Sequence, residues 1–236
     1  MRFVYGSAIA LAIAIHVPSA ITAQGGAPME TARAVAGGGI TVPGWVGKID
    51  ANEEKAGQVL NNAKFAPDGA GIRVTTGPAV TYWNPANRAT GDYTVKATFN
   101  EPQYMNLNNH PHPYGIVIGG NDLGTPQQSY IYCAAYGNGN FIVRGMGPDP
   151  FQMNGGRGAA SPAVNRAGGP GQPVSQTIAV SVKGDKVTCN INGTDVASYT
   201  KAELVAPGKL KSTDGLYGVR FAHNTEAVVT GLAMTK

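Results

Sequence analysis

The chain has 236 residues, only 14% of them charged, and a formal net charge of +4 at pH 7. This length suits one large domain better than two small ones. Few charged residues, together with 33 Gly and 16 Pro, indicate many turns and few exposed amphipathic helices. The lysines and arginines are dispersed along the chain, which disfavours a nucleic-acid partner because phosphate binding needs clustered cations.

The first residues have the pattern of an export signal. Arg2 supplies a positive charge, residues 8–15 form a short apolar run, and residues 18–23 are small enough for cleavage near Ala23. The alternative is a membrane anchor, but a spanning helix needs about 20 apolar residues, roughly twice this run. Residues 1–23 are therefore predicted to be a signal peptide, and the mature protein to be secreted or periplasmic and not membrane-spanning.

Residues 24–42 are rich in Gly and Ala without periodicity, which predicts a flexible leader. The predicted domain, residues 43–236, begins with a strand at 44–49 and a helical turn within 52–60. Strands at 71–75 and 79–83 are expected to pair across Thr76-Gly77-Pro78. Residues 91–99 alternate apolar and polar side chains, as in a half-exposed strand.

The second half continues this pattern. Strands are predicted at 114–119, 129–136, 140–144, 174–183, 186–192, 194–199, 215–221 and 227–233. Asn192-Gly193 suits a type I′ turn, which needs positive φ at both central residues, and Asn138-Gly139 is expected to close another hairpin. Residues 145–173 are rich in Gly, Pro and Asn and predict either a functional surface loop or disorder. The predicted fold is an all-β, two-sheet antiparallel jelly roll of about a dozen strands.

The two cysteines, Cys133 and Cys189, both lie in predicted strands. An exported protein meets an oxidising compartment in which a disulfide can form and persist. The alternative is two buried free thiols on neighbouring strands. Sequence alone leaves both open, because it does not place the Cα atoms within bonding reach of each other.

Several segments together resemble one superfamily. They are an early Trp, residues 91–95, 114–120, 130–132, the Gly139 turn, 187–193 and 215–223. With this order the chain resembles the concanavalin A-like lectin and glucanase superfamily, and more narrowly the secreted bacterial domains grouped with 3-keto-disaccharide hydrolases. The resemblance extends from about Trp45 to Met234. It implies two curved antiparallel sheets, carbohydrate bound on the concave sheet or its rim, and in some members a calcium ion.

The carboxylates disfavour an ordinary glucanase mechanism. Familiar catalytic members of the superfamily carry a Glu-x-Asp-x-x-Glu strand, which this chain lacks. Retaining glycoside cleavage needs two carboxyl groups about 5 Å apart. Asp68, Asp185 and Asp214 instead lie in predicted turns beside Gly. Cleavage of a 3-keto-glycoside needs fewer catalytic groups, because the sugar's carbonyl acidifies a neighbouring proton. One base with an oxyanion stabiliser can then suffice.

His112 and Arg220 are the predicted catalytic residues. His112 belongs to the segment His110-Pro111-His112-Pro113-Tyr114, where an imidazole can act as base, sugar contact or metal ligand, or simply belong to a rigid polar loop. Arg220 shares strand parity with Leu216 and is expected to point away from the core, where it either holds sugar hydroxyls or is solvated. Arg144 has the same two interpretations as a substrate contact.

Aromatic side chains supply the other predicted substrate contacts. Tyr130 and Tyr132 share one strand face and can stack on sugar rings, or can be sheet core. Tyr114 and Trp83 are predicted to join them. Asn121 and Asp122 follow a predicted strand and offer oxygens for calcium, although a turn with an Asx bond explains them equally.

Three functions are compatible with this sequence. The first is a secreted carbohydrate-binding domain that also hydrolyses 3-keto-glycosides. The second is a non-catalytic lectin-like or adhesive module. The third is a self-assembling structural subunit held together through the Gly-rich leader and residues 145–173.

Overall fold

The computed structural model describes residues 30–156 and 158–236, together with Met1. Its helices are α1 (Ala51–Lys55), a 3₁₀ turn (Leu60–Asn62) and α2 (Lys201–Leu204). Its strands are β1 (Gly39–Ile40), β2 (Val46–Ile49), β3 (Lys64–Asp68), β4 (Gly71–Thr75), β5 (Val80–Ala89), β6 (Tyr93–Glu101), β7 (Tyr114–Asn121), β8 (Ser129–Ala135), β9 (Asn140–Met146), β10 (Pro150–Gln152), β11 (Ala159–Ala160), β12 (Val174–Lys183), β13 (Lys186–Ile191), β14 (Thr194–Thr200), β15 (Gly215–Phe221) and β16 (Glu226–Thr235). The predicted signal peptide and residues 24–29 of the predicted leader lie outside this range, apart from Met1.

The strands form two sheets packed face to face. The first sheet has the order β1-β3-β4-β16-β6-β12-β13-β14, and the second has the order β10-β9-β8-β7-β15-β5-β2, with β11 paired to β9. Neighbouring strands are antiparallel, except that β1 runs parallel to β3. This is the predicted all-β, two-sheet jelly roll.

The core lies between the sheets and follows from strand alternation. In β6 the buried side chains are Tyr93, Val95, Ala97 and Phe99, as the period of two predicts. Facing them from the second sheet, Val219 and Phe221 of β15 and the apolar positions of β7 complete one cluster. The predicted hairpin turn at Asn192-Gly193 is confirmed, with φ of +52° and +87° at the two residues.

The predicted pairing of residues 71–75 with 79–83 is wrong. β4 pairs with β3 and β16 in the first sheet, whereas β5 pairs with β2 and β15 in the second. Thr76-Gly77-Pro78 is therefore a corner between sheets and not a hairpin turn. Thr76 fixes this corner, since its hydroxyl donates to the Ala222 carbonyl at 2.6 Å.

The described part of the predicted leader is attached to the domain. β1 already adds a strand to the first sheet before Pro43. Asn224 binds the preceding segment twice: its Oδ1 accepts from Arg33 N at 2.9 Å and its Nδ2 donates to the Thr31 carbonyl at 3.1 Å. Gly77 permits this approach, because a Cβ there would lie 1.4 Å from the Arg33 carbonyl oxygen.

Residues 145–173 contain more structure than the sequence predicts. The strand β9 extends to Met146, and β10 and β11 both pair with it. Gln176 then anchors the end of the stretch, since its side chain exchanges two hydrogen bonds with the backbone of Asn165. β10 and β11 thus belong to the edge of the second sheet, and Gln176 of β12 ties the end of the stretch to the first sheet.

Cys133 and Cys189 form a disulfide, with their Cα atoms 5.8 Å apart. Cys133 lies in β8 of the second sheet and Cys189 in β13 of the first, so the bond joins the two sheets across the core. The two cysteines are opposite each other and not on neighbouring strands, which is why the free-thiol alternative does not hold.

Within the described residues, no helix has the length and apolar character needed to cross a bilayer.

Candidate functional site

The face of the second sheet that points away from the core carries most of the predicted site residues. We call it the outer face. Strand register places one row of residues across it, in the order Val46, Trp83, Gly218, Val117, Tyr132, Arg144 and Gln152. The next row contains Lys48, Thr81, Arg220, Gly115, Ala134 and Ile142. Residues far apart in sequence therefore lie side by side on this face.

Arg220 points onto the outer face, as predicted, but it is buried and fully engaged. Its guanidinium forms a bidentate pair with Asp50, at 2.8 and 2.5 Å, and also donates to Thr81 Oγ1 at 3.0 Å and the Tyr130 hydroxyl at 3.2 Å. Burial alone would lower the pKa of Arg220, but the Asp50 carboxylate outweighs it and raises this pKa well above the ordinary value. The arginine is therefore charged and held in one orientation.

The aromatic residues of this face form a floor and not an exposed platform. Tyr130, Tyr132 and Trp83 are 1%, 7% and 7% exposed. The Arg220 guanidinium carbon lies 5.1 Å from the centre of the Tyr132 ring, within the range of a cation–π contact. Leu123, in the loop between β7 and β8, packs against the same cluster. A ligand on this face meets ring edges and arginine donors more than open ring faces.

Arg144 is the polar residue of the row whose hydrogen bonding is incomplete. It pairs with Tyr132 across β8 and β9, and its Nη2 donates to the Gly156 carbonyl. Its Nε is buried and has no hydrogen-bond partner among the described residues. A buried N–H without an acceptor is costly, so this donor is suited to a ligand oxygen.

The outer side of the first sheet is different. There the hydroxyl groups satisfy one another, with Thr94 and Ser181 2.9 Å apart and Thr188 and Ser198 also 2.9 Å apart. These hydroxyl side chains give a ligand no ring surface, and the charged donor beside them is the exposed Lys96. The contrast singles out the outer face of the second sheet.

The other predicted catalytic residue, His112, lies in a second cluster at the end of the sandwich. His110 and His112 precede β7, His223 follows β15, and Glu30 comes from the N-terminal segment. One nitrogen or oxygen atom from each of these four side chains lies within 4.8 Å of the others. Burial, together with the neighbouring His223 and His110, lowers the pKa of His112 to about 3.

The histidine rings in this cluster are oriented by oxygen atoms. His112 Nδ1 donates to the His223 carbonyl at 2.5 Å, and His110 Nδ1 lies 2.7 Å from Asn109 Oδ1. His223 Nδ1 lies 3.4 Å from Glu53 Oε1. The Nε2 atoms of His110 and His112 then face each other at 2.7 Å.

Tyr114 does not lie on the outer face. Its side chain is fully buried between the sheets, where its ring centre is 5.4 Å from that of Phe99 and 6.0 Å from that of Phe221. It offers no surface to a ligand, because it follows His112 at the point where β7 enters the core. Tyr114 is therefore a core residue of the sandwich and not a substrate contact.

Asn121 and Asp122 have the contacts of a stabilised turn. Asn121 Nδ2 donates to the carbonyls of Gly119 and Asp214, at 3.1 and 3.0 Å, and Asp122 forms an ion pair with Lys211. A lysine beside the carboxylate opposes cation binding. Among the described His, Cys, Asp and Glu side chains, the group close enough to share a metal ion is the histidine cluster.

Sequence reasoning did not identify Asp50, Glu53 or Glu30 as site residues. Asp50 and Glu53 are three residues apart around α1, and Arg220 and His223 are three residues apart around β15. Asp50, just before α1, binds Arg220, and Glu53, within α1, lies beside His223, so this short helix contacts both clusters. The spacing is visible in the sequence, but only the pairing of β2, β5 and β15 makes it meaningful.

Comparisons with known proteins support the fold. No family model matches the chain, and no curated protein matches it. Among solved structures, it is similar to the carbohydrate-binding module CBM66 from Bacillus subtilis, with 8% identity, 82% of this chain and 96% of that chain covered, and a TM-score of 0.51.

Two further structures have similar scores. A protein of unknown function with a galectin-like fold from Bacillus subtilis has 11% identity, coverage of 80% of this chain and 88% of that chain, and a TM-score of 0.52. An endo-β-1,3-glucanase from Pyrococcus furiosus has 14% identity, coverage of 82% and 88%, and a TM-score of 0.50. The chain thus has the two-sheet jelly-roll fold of these structures.

Proposed function

We propose that this protein is a secreted domain that binds carbohydrate on the outer face of its second sheet. The observation that carries the proposal is that Tyr132 contacts two arginines, since it pairs with Arg144 in its own row and lies against Arg220 of the next row. Arg220 is stacked on the ring and fixed by Asp50, and Arg144 has a buried Nε that lacks an acceptor. The carbohydrate-binding module and the glucanase described above share this fold, which supports the proposal at the level of the fold alone.

The chemistry of the row suits a sugar. Sugar hydroxyls accept hydrogen bonds from guanidinium groups, and the apolar faces of sugar rings pack against aromatic side chains. Arg144 and Tyr136 are half-buried and Gln152 is exposed, whereas Trp83 and Tyr132 are covered. We therefore place the sugar over the β8–β9–β10 side of the row, where Arg144, Tyr136 and Gln152 are accessible.

Export is part of the proposal. The predicted signal peptide would deliver the chain to an oxidising compartment, and the disulfide between Cys133 and Cys189 is of the kind that persists there. N-terminal sequencing of protein recovered from the medium or periplasm tests this directly. A mature N-terminus near Gln24 supports export, and recovery of the intact chain in the cytoplasm contradicts it.

A glycan screen tests the binding site. The full-length chain is applied to a glycan array, and the best ligand is then titrated against the wild type and Arg144→Ala. Loss of a charged hydrogen bond is expected to weaken binding at least about tenfold. Arg73→Ala is the matched control, because it removes the same charge from an exposed ion-pair cluster on the other sheet.

Equal weakening in both variants would contradict the proposed site, because it would show that net charge alone attracts the glycan. Absence of any glycan ligand would contradict carbohydrate binding itself. Circular dichroism of the variants excludes unfolding as the cause of a loss.

Hydrolysis of 3-keto-glycosides is a second candidate. The observation that favours it is the pairing of Arg220 with Asp50, since a positive charge fixed beside the outer face can stabilise a developing oxyanion electrostatically. The same screen includes a 3-keto-glycoside. Release of free sugar by the wild-type chain supports hydrolysis, and binding without release supports a non-catalytic module.

A further inference from the structure

The histidine cluster at the end of the sandwich is not part of the proposed sugar site. It contains His110, His112, His223 and Glu30. The chain has 4 histidines, and the remaining one, His16, lies in the predicted signal peptide. All the histidines of the predicted mature protein are therefore gathered at one point, from two distant parts of the sequence, and Glu30 comes from a third.

Two polar atoms of the cluster are buried without a partner. Glu30 Oε2 and His223 Nε2 make no hydrogen bond to any described residue. Leaving one such atom unsatisfied is costly, and leaving two beside each other is more so. One cation placed between them would satisfy both.

The facing ring nitrogens of His110 and His112 also favour a bound cation. The Nδ1 of His112 must be the protonated nitrogen, because its partner, the His223 carbonyl, can only accept. Its Nε2 therefore presents a lone pair toward His110 Nε2, 2.7 Å away. Asn109 Oδ1 at His110 Nδ1 favours the same tautomer in the second ring. Two facing lone pairs repel each other unless a proton or a metal ion lies between them.

The distances fit a tetrahedral ion. Bonds of about 2.0–2.1 Å to four ligands set neighbouring ligand atoms about 3.3 Å apart. Glu30 Oε2 lies 3.8 Å from His112 Nε2, close to this separation. The His110 side chain is 53% exposed, so it can move by the few tenths of an ångström needed to separate the two Nε2 atoms.

Surrounding oxygens complete the arrangement. Metal-bound histidines ordinarily donate their second ring nitrogen to a carbonyl or carboxylate, which fixes the ring and directs the other nitrogen to the ion. Asn109 Oδ1, the His223 carbonyl and Glu53 Oε1 occupy these positions for His110, His112 and His223 respectively.

We propose that Glu30, His110, His112 and His223 bind one divalent transition-metal ion of the Zn²⁺ class. Three imidazoles and one carboxylate are ligands for such ions and not for Ca²⁺ or Mg²⁺, which prefer oxygen. Since all four positions are filled by side chains, the site is structural and leaves no open coordination position. It attaches the N-terminal segment, through Glu30, to the entry of β7 and the exit of β15.

Binding is tested with the untagged full-length chain after removal of metal by chelation. Titration with Zn²⁺ alone is expected to show one ion bound per chain and a rise in Tm, whereas Ca²⁺ and Mg²⁺ produce neither. His110→Ala and Glu30→Ala are expected to lower Zn²⁺ affinity at least about 100-fold. His110 is chosen because its exposed ring can be removed without opening the core. Glu54→Ala, an exposed glutamate on α1, is the control and keeps wild-type affinity.

A second readout follows the N-terminal segment. Cleavage by trypsin after Arg33 requires this segment to leave the domain, which separates Glu30 from the histidines. With Zn²⁺ at ten times its Kd, cleavage is expected to slow about tenfold in the wild type and to stay unchanged in His110→Ala. The proposal is overturned if no Zn²⁺ binds, if His110→Ala and Glu30→Ala bind it as tightly as the wild type does, or if Ca²⁺ binds equally well.

Discussion

At the scale of single residues, Glu101 is a buried acidic group with a raised pKa. It lies at the end of β6 on the core side and is 5% exposed. Burial raises its pKa to about 7, although the neighbouring Tyr114 hydroxyl and the Met105 backbone oppose the rise. The carboxyl is therefore largely protonated in the folded protein at mildly acidic pH, where the unfolded chain would ionise it.

This shift makes stability depend on pH. Between about 4.5 and about 7 the folded chain binds more protons at Glu101 than the unfolded chain does, so the free energy of unfolding falls as pH rises through this window. The fall amounts to something on the order of 3 kcal/mol. Glu101→Gln keeps the shape without the charge and is expected to remove this fall, so that the variant is more stable than the wild type at pH 8.

Urea denaturation of the wild type and Glu101→Gln at pH 5 and pH 8 checks this prediction. Glu54→Gln serves as the control, since Glu54 is exposed and pairs only with Lys48 at the surface. If the wild type and Glu101→Gln lose stability in parallel between the two pH values, the carboxyl of Glu101 does not cause the loss.

At the scale of structural elements, the disulfide joins strands that the sheets do not otherwise connect. β8 and β13 belong to different sheets, and the bond closes a loop with a sequence separation of 56 residues. Closing a loop of this length removes roughly 4 kcal/mol of unfolded-state entropy in the simplest model. The bond therefore acts mainly on the unfolded chain.

Replacing both cysteines, Cys133→Ala with Cys189→Ala, is expected to destabilise the protein by about 2–4 kcal/mol. For a domain of this size that corresponds to a Tm lower by roughly 10 °C. Calorimetry with and without reductant measures it: reductant lowers the Tm of the wild type and leaves that of the variant unchanged. A variant with the Tm of the wild type would show that the bond adds no stability.

Strands were predictable from sequence where alternation was strong. Residues 71–75 and 215–221 coincide with β4 and β15, and the Asn192-Gly193 turn was correctly assigned, because period and turn chemistry are local properties. β1 and β3 were missed. The partner of β4 was also wrong, because Thr76-Gly77-Pro78 looks like a hairpin turn and its role as a corner depends on contacts with Ala222 and Arg33.

The candidate site was predictable only in part. The outward direction of Arg220 follows from strand parity, whereas its burial and its pairing with Asp50 depend on residues 170 positions apart in sequence. The histidine cluster was visible as His110 and His112, but Glu30 lay in a stretch predicted to be flexible. Partners that meet only through sheet topology leave no local pattern.

At the scale of the whole molecule, the two sheets present different chemistry to solvent. The first sheet has paired hydroxyls, as in Thr98 and Thr177 at 3.0 Å, and the second has arginines over an aromatic floor. The disulfide lies on the core side of the second sheet, beneath Tyr132 and Arg144, and the N-terminal segment is attached at the end of the sandwich. The molecule thus separates the surface proposed to bind sugar from the contacts that maintain the fold.

The central claim, that sugar binds on the outer face of the second sheet, is tested most directly by mapping NMR chemical shifts during a titration with the best glycan from the array. The account predicts that the backbone amides of Tyr132, Arg144 and Gln152 shift together with the Arg144 Nε–H signal, while those of Lys96 and Ser181 on the first sheet stay in place. Shifts that cluster on the first sheet, or a spectrum that saturating glycan leaves unchanged, would contradict it.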